Sequence, residues 1–451
     1  MKHRICVLLF VLSALSLNAQ NAAPVRMEVG EENPHARFDE YMRERTFPDG
    51  KIPDGAYDRA WKYADAMRNK KGAAALMALQ PQWRLIGPDN IGGRTRSVVC
   101  HPKKDGWVYV AAAGGGVWRT TNHGELWEPL FDKQNSITMG FLAIDPNNPE
   151  VLYAATGEVR PAAGDYQNHL GSGIYKSTDA GTTWKLMGLT TVASFSKIYV
   201  HPKNSNVVYA GGMRSAQGLY KSTDAGITWK RMNRLSISDL CLNNANVDEL
   251  YIAVTSQGIF KSTDGGETIN KISEGLPGTI GRITAQICQA RPATIYTLFE
   301  TLDPNDPTKS DFPAIYKTTD GGANWSSVID NRPQLFRPGG NGNGQGDYDN
   351  FVCVHPTNPD ICLVGGIEIY RTSNGGSLWV NVSNSYFGGN VHADQHHAAF
   401  NPLNPSEVYE ANDGGMYRST NGGESWEMIN NGYSVSAFYA IGIDRKAENK
   451  T

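Results

Sequence analysis

Along most of this chain, apolar and polar residues alternate in short runs, and each run leads into a tight polar cluster followed by a tryptophan. The stretch from Gly173 to Trp184, G-I-Y-K-S-T-D-A-G-T-T-W, shows the unit. Alternation over Ile174-Tyr175-Lys176-Ser177 predicts a strand with one buried face, and Gly181 supplies the positive φ that reverses the chain. The unit is a hairpin, and it recurs seven times. Its acidic or amide position falls at Asn122, Asp179, Asp224, Asp264, Asp320, Asn374 and Asn421, with a tryptophan five residues later in every copy but the fourth, which has Ile269. At the turn the Asp or Asn oxygen can accept from the N–H groups that follow, while the indole buries a large ring beside it.

Successive turn positions lie 57, 45, 40, 56, 54 and 47 residues apart, the length of a four-stranded propeller blade plus a variable insertion. The pattern predicts an all-β, seven-bladed β-propeller of four-stranded antiparallel blades over residues 82–433. Residues 434–451 begin a further blade or a closing strand. Ahead of the blades, 20–81 form an arm followed by a short helical segment: Trp61, Ala64 and Met67, then Ala74, Leu76 and Leu79, follow helical spacing. Trp83 to Ile86 resembles an outermost strand, so the chain enters partway through a blade.

In an up-and-down meander, two of the four connections in each unit lie on each face. One face carries only short turns such as Asp145 to Glu150 and the seven polar turns. The other receives every long insertion: Gly157 to Ser172, Glu300 to Pro313, Asp330 to Asp349 and Asn384 to Gln395. Loops on a rigid scaffold carry binding chemistry, so a site belongs on that second face.

Composition changes this picture little. The formal charge of −3 in 451 residues gives no electrostatic reason for a nucleic-acid partner. Residues 1–19 run from Lys2, His3 and Arg4 through an apolar stretch to Ala19 and read as a cleaved signal peptide, which predicts a secreted, periplasmic or cell-surface protein with no integral membrane segment after cleavage. The cysteines at 100, 241, 288, 353 and 362 form no framework of disulfides or zinc ligands. Cys353 and Cys362 flank a short turn and could face each other as a bridge, or sit as buried apolar residues.

The densest polar cluster is His392-Ala393-Asp394-Gln395-His396-His397. In an extended chain alternate residues share a face, so His392, Asp394 and His396 could converge on a divalent metal. Asp347, Tyr348 and Asp349 end the glycine-rich insertion, Asp413 lies in the seventh blade, and Glu158 lies in the second. These residues are the candidate ligand-binding set of the loop face.

The repeated turns resemble the Asp-box (BNR) turns of sialidases, sortilin and the two-propeller xyloglucanases. Segments W-R-L-I-G-P-D-N-I-G-G-R-T-R at 83–96, G-Q-G-D-Y-D-N at 344–350, V-H-A-D-Q-H at 391–396 and N-D-G-G-M-Y-R at 412–418 resemble secreted bacterial proteins with a sortilin-type N-terminal domain. Those relatives commonly continue into a second propeller and a sorting domain, so the resemblance implies a truncated form or a fragment. The xyloglucanase resemblance implies a D-V-G-G-x-Y-R segment with a catalytic aspartate in the first blade. Gly115 to Arg119 matches its end, but Ala113 stands where the aspartate would. Glycoside hydrolysis needs two carboxylates. The resulting expectation is a secreted recognition module for a glycan or protein, not an enzyme, with a xyloglucanase-like glycoside hydrolase using loop-face carboxylates as the alternative.

Overall fold

The computed structural model describes residue 43, the helix Ala56–Arg68, and residues 87–436 except 89, 160–169, 273, 329–334, 337–343 and 386–387. Seven four-stranded antiparallel sheets follow one another, each a simple meander. Their inner strands are Thr95–Cys100, Met139–Ile144, Ser194–Val200, Ile237–Leu242, Ile280–Ile287, Phe351–Val354 and Gln395–Phe400. The seven-bladed propeller expected from the repeat is therefore the observed fold. The chain also divides into two compact units at residue 56. The helix Ala56–Arg68 keeps Trp61 and Ala64 half-buried; its expected continuation through Leu79, the leader and the strand at Trp83 to Ile86 lie outside the described residues.

Burial explains the strand order. Second strands such as Val108–Ala112 and Leu250–Val254 are buried at every position, because each is covered by a neighbouring blade on both faces. Two-residue outer strands such as Lys185–Leu186 are exposed. Clusters of core residues span pairs of successive blades: Val98, Val110 and Trp118 of the first blade pack with Tyr409, Ala411 and Met416 of the seventh. That contact closes the ring, reinforced by Thr95 Oγ1 and Tyr433 hydroxyl at 2.8 Å.

The polar turns follow the expected chemistry and add an unexpected one. Asp179 Oδ1 accepts from Ser177 Oγ at 2.7 Å and from Thr183 N–H at 2.8 Å. The residue after the acid is left-handed even where it is not glycine, with φ of 61° at His123, 56° at Ala180 and 59° at Ala225. The turn's backbone carbonyl is also an acceptor for the preceding blade. Ala225 O takes Tyr153 hydroxyl at 3.0 Å and Lys176 Nζ at 3.2 Å, and Gly265 O takes Tyr209 hydroxyl and Lys221 Nζ at 3.0 and 2.8 Å. The turn tryptophan bonds backward: Trp184 Nε1 donates to Leu130 O and Trp229 Nε1 to Met187 O, each at 3.0 Å. Each such bond contributes about 0.5–1.5 kcal/mol net. The turns thus join blades as well as reversing strands.

Two expectations are corrected, and a third, the further strand over 434–451, falls almost wholly outside the described residues. Glu300 to Pro313 is not a loop: Ile295–Asp303 pairs with Asp306–Thr318 out to Asp303 opposite Asp306, so the fifth blade extends a hairpin. Cys353 and Cys362 are free thiols. Register puts Leu363 opposite Cys353 and Val354 opposite Cys362, so the two sulfurs lie on opposite faces of the sheet. Ser434 to Ser436 form no strand, and residues beyond them lie outside the described set.

Candidate functional site

Ring closure brings together residues from the first, second, sixth and seventh blades on the loop face. Arg94 and Arg96 lead into and begin the first inner strand. Arg94 forks onto Glu158, with Nε at 2.8 Å from Oε1 and Nη2 at 3.2 Å from Oε2, and its Nη1 donates to Tyr348 hydroxyl at 2.7 Å. The Tyr348 hydroxyl in turn lies 2.8 and 2.6 Å from the two carboxylate oxygens of Asp413, to which it donates. On the other side, Arg96 Nη1 donates to His396 Nδ1 at 2.7 Å. Arginine can only donate, so Nδ1 accepts and Nε2–H remains to donate to Asp413 Oδ1 at 2.6 Å. The Tyr348 and His396 rings meet edge to face at 4.9 Å.

Asp413 is the centre of this chain of bonds, and its side chain keeps 22% of its surface open to solvent. Burial alone would raise its pKa, but the His396 and Tyr348 donors and the Arg94 charge bring it down to about 2. It is an oriented carboxylate at neutral pH. His396 is fully enclosed; burial, with the Arg96 charge beside it, lowers its pKa to about 3, so the imidazole is neutral.

Tyr348, His396 and Asp413 from the candidate set therefore converge, and Glu158 joins them. Asp347 is half-buried, and its carbonyl lies 3.4 Å from Arg282 Nη1. Asp349 is fully buried with neither carboxyl oxygen hydrogen-bonded, because the chain turns inward there: the N–H groups of Tyr348 and Asp349 both donate to Gln345 O. Burial pushes its pKa well up.

The metal triad at His392, Asp394 and His396 does not assemble. Asp394 has φ of 69°, which breaks the alternation that would have aligned the three. His392 is exposed with Nδ1 on the carbonyl of Ala393, and both nitrogens of His396 are occupied by Arg96 and Asp413. Among the described residues, the group with metal-ligand spacing is Asp105, His123 and Glu407, on the short-turn face. Glu407 there already accepts from Asn401, Arg418, Tyr409 and His123, so these residues knit the first blade to the seventh.

Strand register relates the two blades at the site. Thr95 pairs with Ala112 as Gln395 pairs with Asn412. Ala113 N–H donates to Arg94 O, and Asp413 N–H to Asp394 O. Asp413 thus holds in the seventh blade the place that Ala113 holds in the first. The sequence reading missed Arg94 and Arg96 as site residues, although the quoted segment 83–96 contains both. No local pattern pairs them with residues some 300 positions away.

No family model matches the chain. Curated relatives include a xyloglucanase of Hypocrea jecorina, 26% identical over 143 residues (29% of this chain, 16% of the relative), and an oligoxyloglucan-reducing end-specific xyloglucanase of Emericella nidulans, 30% identical over 98 residues (21% and 11%). A Paenibacillus xyloglucanase is 24% identical over 337 residues, covering 68% of this chain and 28% of the relative. Among solved structures, the Niastella koreensis GH74 enzyme superposes with a TM-score of 0.59 at 22% identity, over 76% of this chain and 55% of that one. The Xanthomonas campestris GH74 xyloglucanase gives 0.59 at 18%, over 78% and 56%. The chain spans about half the length of these structures and 28% or less of the curated relatives. All of these relatives are glycoside hydrolases, which overturns the expectation of a recognition module and favours the alternative, a glycoside hydrolase.

Proposed function

We propose that this chain belongs to a glycoside hydrolase acting on xyloglucan-type polysaccharides, with its site on the loop face at the junction of the first and seventh blades. The observation that carries the proposal is Asp413: a carboxylate held ionised, fixed by Tyr348 and His396, and open to solvent. It stands at the place in its blade where, one blade over, the xyloglucanase resemblance calls for an aspartate and Ala113 offers only a methyl group.

Hydrolysis of a glycosidic bond requires one carboxyl group to protonate the leaving oxygen and one carboxylate to attack the sugar or activate water. With a pKa of about 2, Asp413 suits the second role. Tyr348 and His396, donating to it, fix which lone pairs face the sugar. Asp394, whose backbone carbonyl accepts from Asp413 N–H, carries a further carboxyl group on this face, and we assign it the proton-donating role. On the same reading the repeated turns are Asp boxes of the sialidase and sortilin kind. The leader at residues 1–19 exports the protein to act on extracellular glycan. No described helix is long and apolar enough to cross a membrane.

The test is incubation of purified full chain with xyloglucan and assay of reducing ends. The wild type should release oligosaccharides, and Asp413→Asn should lower kcat by about 10²–10⁴-fold while still melting cooperatively, at a temperature lowered by the loss of the ionised carboxylate's partners. No release by the wild type, on xyloglucan or on undecorated β-glucan, would refute the proposal.

A further inference from the structure

Beneath the site, the inner strands enclose a cavity on the propeller axis. Its lining includes Arg96 of the first blade, Lys197 of the third, Asp239 of the fourth, Arg282 of the fifth and His396 and His397 of the seventh. Lys197 and Asp239 compensate each other at 3.1 Å, and the other carboxylate oxygen of Asp239 accepts Ala285 N–H at 3.1 Å. Both histidines are neutral: burial lowers their pKa values, aided by the adjacent Arg96 and Lys197 charges.

Two guanidinium groups remain. Arg96 and Arg282 are 6% and 7% exposed. Among the described residues, their hydrogen-bond partners are all uncharged: Arg96 donates to His396 Nδ1 and Val159 O, and Arg282 to the carbonyls of Tyr348 and Asp347. The Nε of each is buried with no partner. Burial, and after it the Arg96 charge, lower the Arg282 pKa to about 10, against the nearby Asp239, Asp349 and Asp347, which raise it. Buried charges are ordinarily paired, and a buried unpaired donor calls for an ion or water to satisfy it.

We propose that this axial cavity binds a small monovalent inorganic anion of the halide class, held by Arg96 and Arg282. The cavity's room for water-sized particles is about 30 Å³, about twice what one water needs. That space suits chloride and excludes an organic phosphate. The inference stands independently of the hydrolase reading. Its consequence for the site is mechanical, because the arginines that would hold the anion also hold the His396 ring and the Tyr348 carbonyl.

The probe is bromide, followed by anomalous diffraction from crystals of the full chain soaked in sodium bromide, with melting temperatures in sodium chloride and sodium gluconate at equal ionic strength. Expected are an anomalous peak between Arg96 and Arg282, and a saturable chloride-specific rise of about 2 °C or more. Arg282→Gln should lose both; should that variant fail to fold, the wild-type measurements decide alone. Ordered water in place of bromide, or equal melting temperatures in the two salts, would overturn the proposal.

Discussion

Glu410 lies in the middle of the second strand of the seventh blade with no exposed surface. Asn412 Nδ2 donates to its Oε2 at 2.9 Å, and among the described residues Oε1 has no partner and no cation acts on the group. Burial raises its pKa well above the ordinary value, opposed only by that one bond. The folded chain therefore keeps a proton there that the unfolded chain releases above about pH 4.3. An acid raised in this way contributes stability that is present below the unfolded pKa and lost as pH rises toward the folded one, at about 1.4 kcal/mol per pH unit. Glu410→Gln has no such loss. It carries instead a pH-independent cost of about 1–3 kcal/mol, for an amide N–H placed where Oε1 lacks a partner. The variant should be less stable than the wild type near pH 4, gain on it by about 1.4 kcal/mol per unit, and overtake it within about two units. Urea unfolding followed by tryptophan fluorescence across pH 4.5–8 measures the difference. A difference that does not vary with pH would refute the reasoning.

Asp349, buried and raised like Glu410, extends the argument to the whole protein. From about pH 6.5 down to 4.5 the unfolded chain gains protons on His396 and His397, while only the folded chain holds protons on Asp349 and Glu410. The four offset one another, so melting temperature should be nearly flat over that range. It should fall steeply below about pH 4, where the histidines act alone and Asp413 begins to lose its partners; a steep fall already between pH 6.5 and 5 would contradict the balance. In the turns, Asp179→Asn should melt close to the wild type, since an amide oxygen still accepts from Thr183 N–H as it does at Asn374 toward Leu378. Asp179→Ala should melt lower, and equal melting of the two variants would remove the acceptor's role. A thiol reagent should leave the five cysteines from Cys100 to Cys362 unreacted in the folded protein and titrate all five on unfolding without reduction. A count two short would reveal a bridge between Cys353 and Cys362.

Whatever depends on residues a few positions apart was legible in the chain by itself. Each polar turn is closed by bonds such as Asp179 to Thr183, four residues apart, and seven such turns at blade spacing determine a propeller whatever the blades later touch. Even the joining of blades is written in the repeat, since the same Tyr, Lys and Trp recur, but which carbonyl each reaches is decided only when blades stack. The site depended on tertiary structure almost entirely. Arg94 and Tyr348 are 254 residues apart, and Arg96 and His396 are 300 apart. Closing the ring sets the first blade beside the seventh and makes these neighbours. Local periodicity also misled where one residue left the extended conformation: Asp394, left-handed at φ of 69°, turned His392 away from His396 and replaced an apparent metal triad with a hydrogen-bonded carboxylate. Alternation along a strand tells which face a side chain takes only while the backbone stays extended, whereas ring closure, which no short stretch of residues encodes, decides what that face meets.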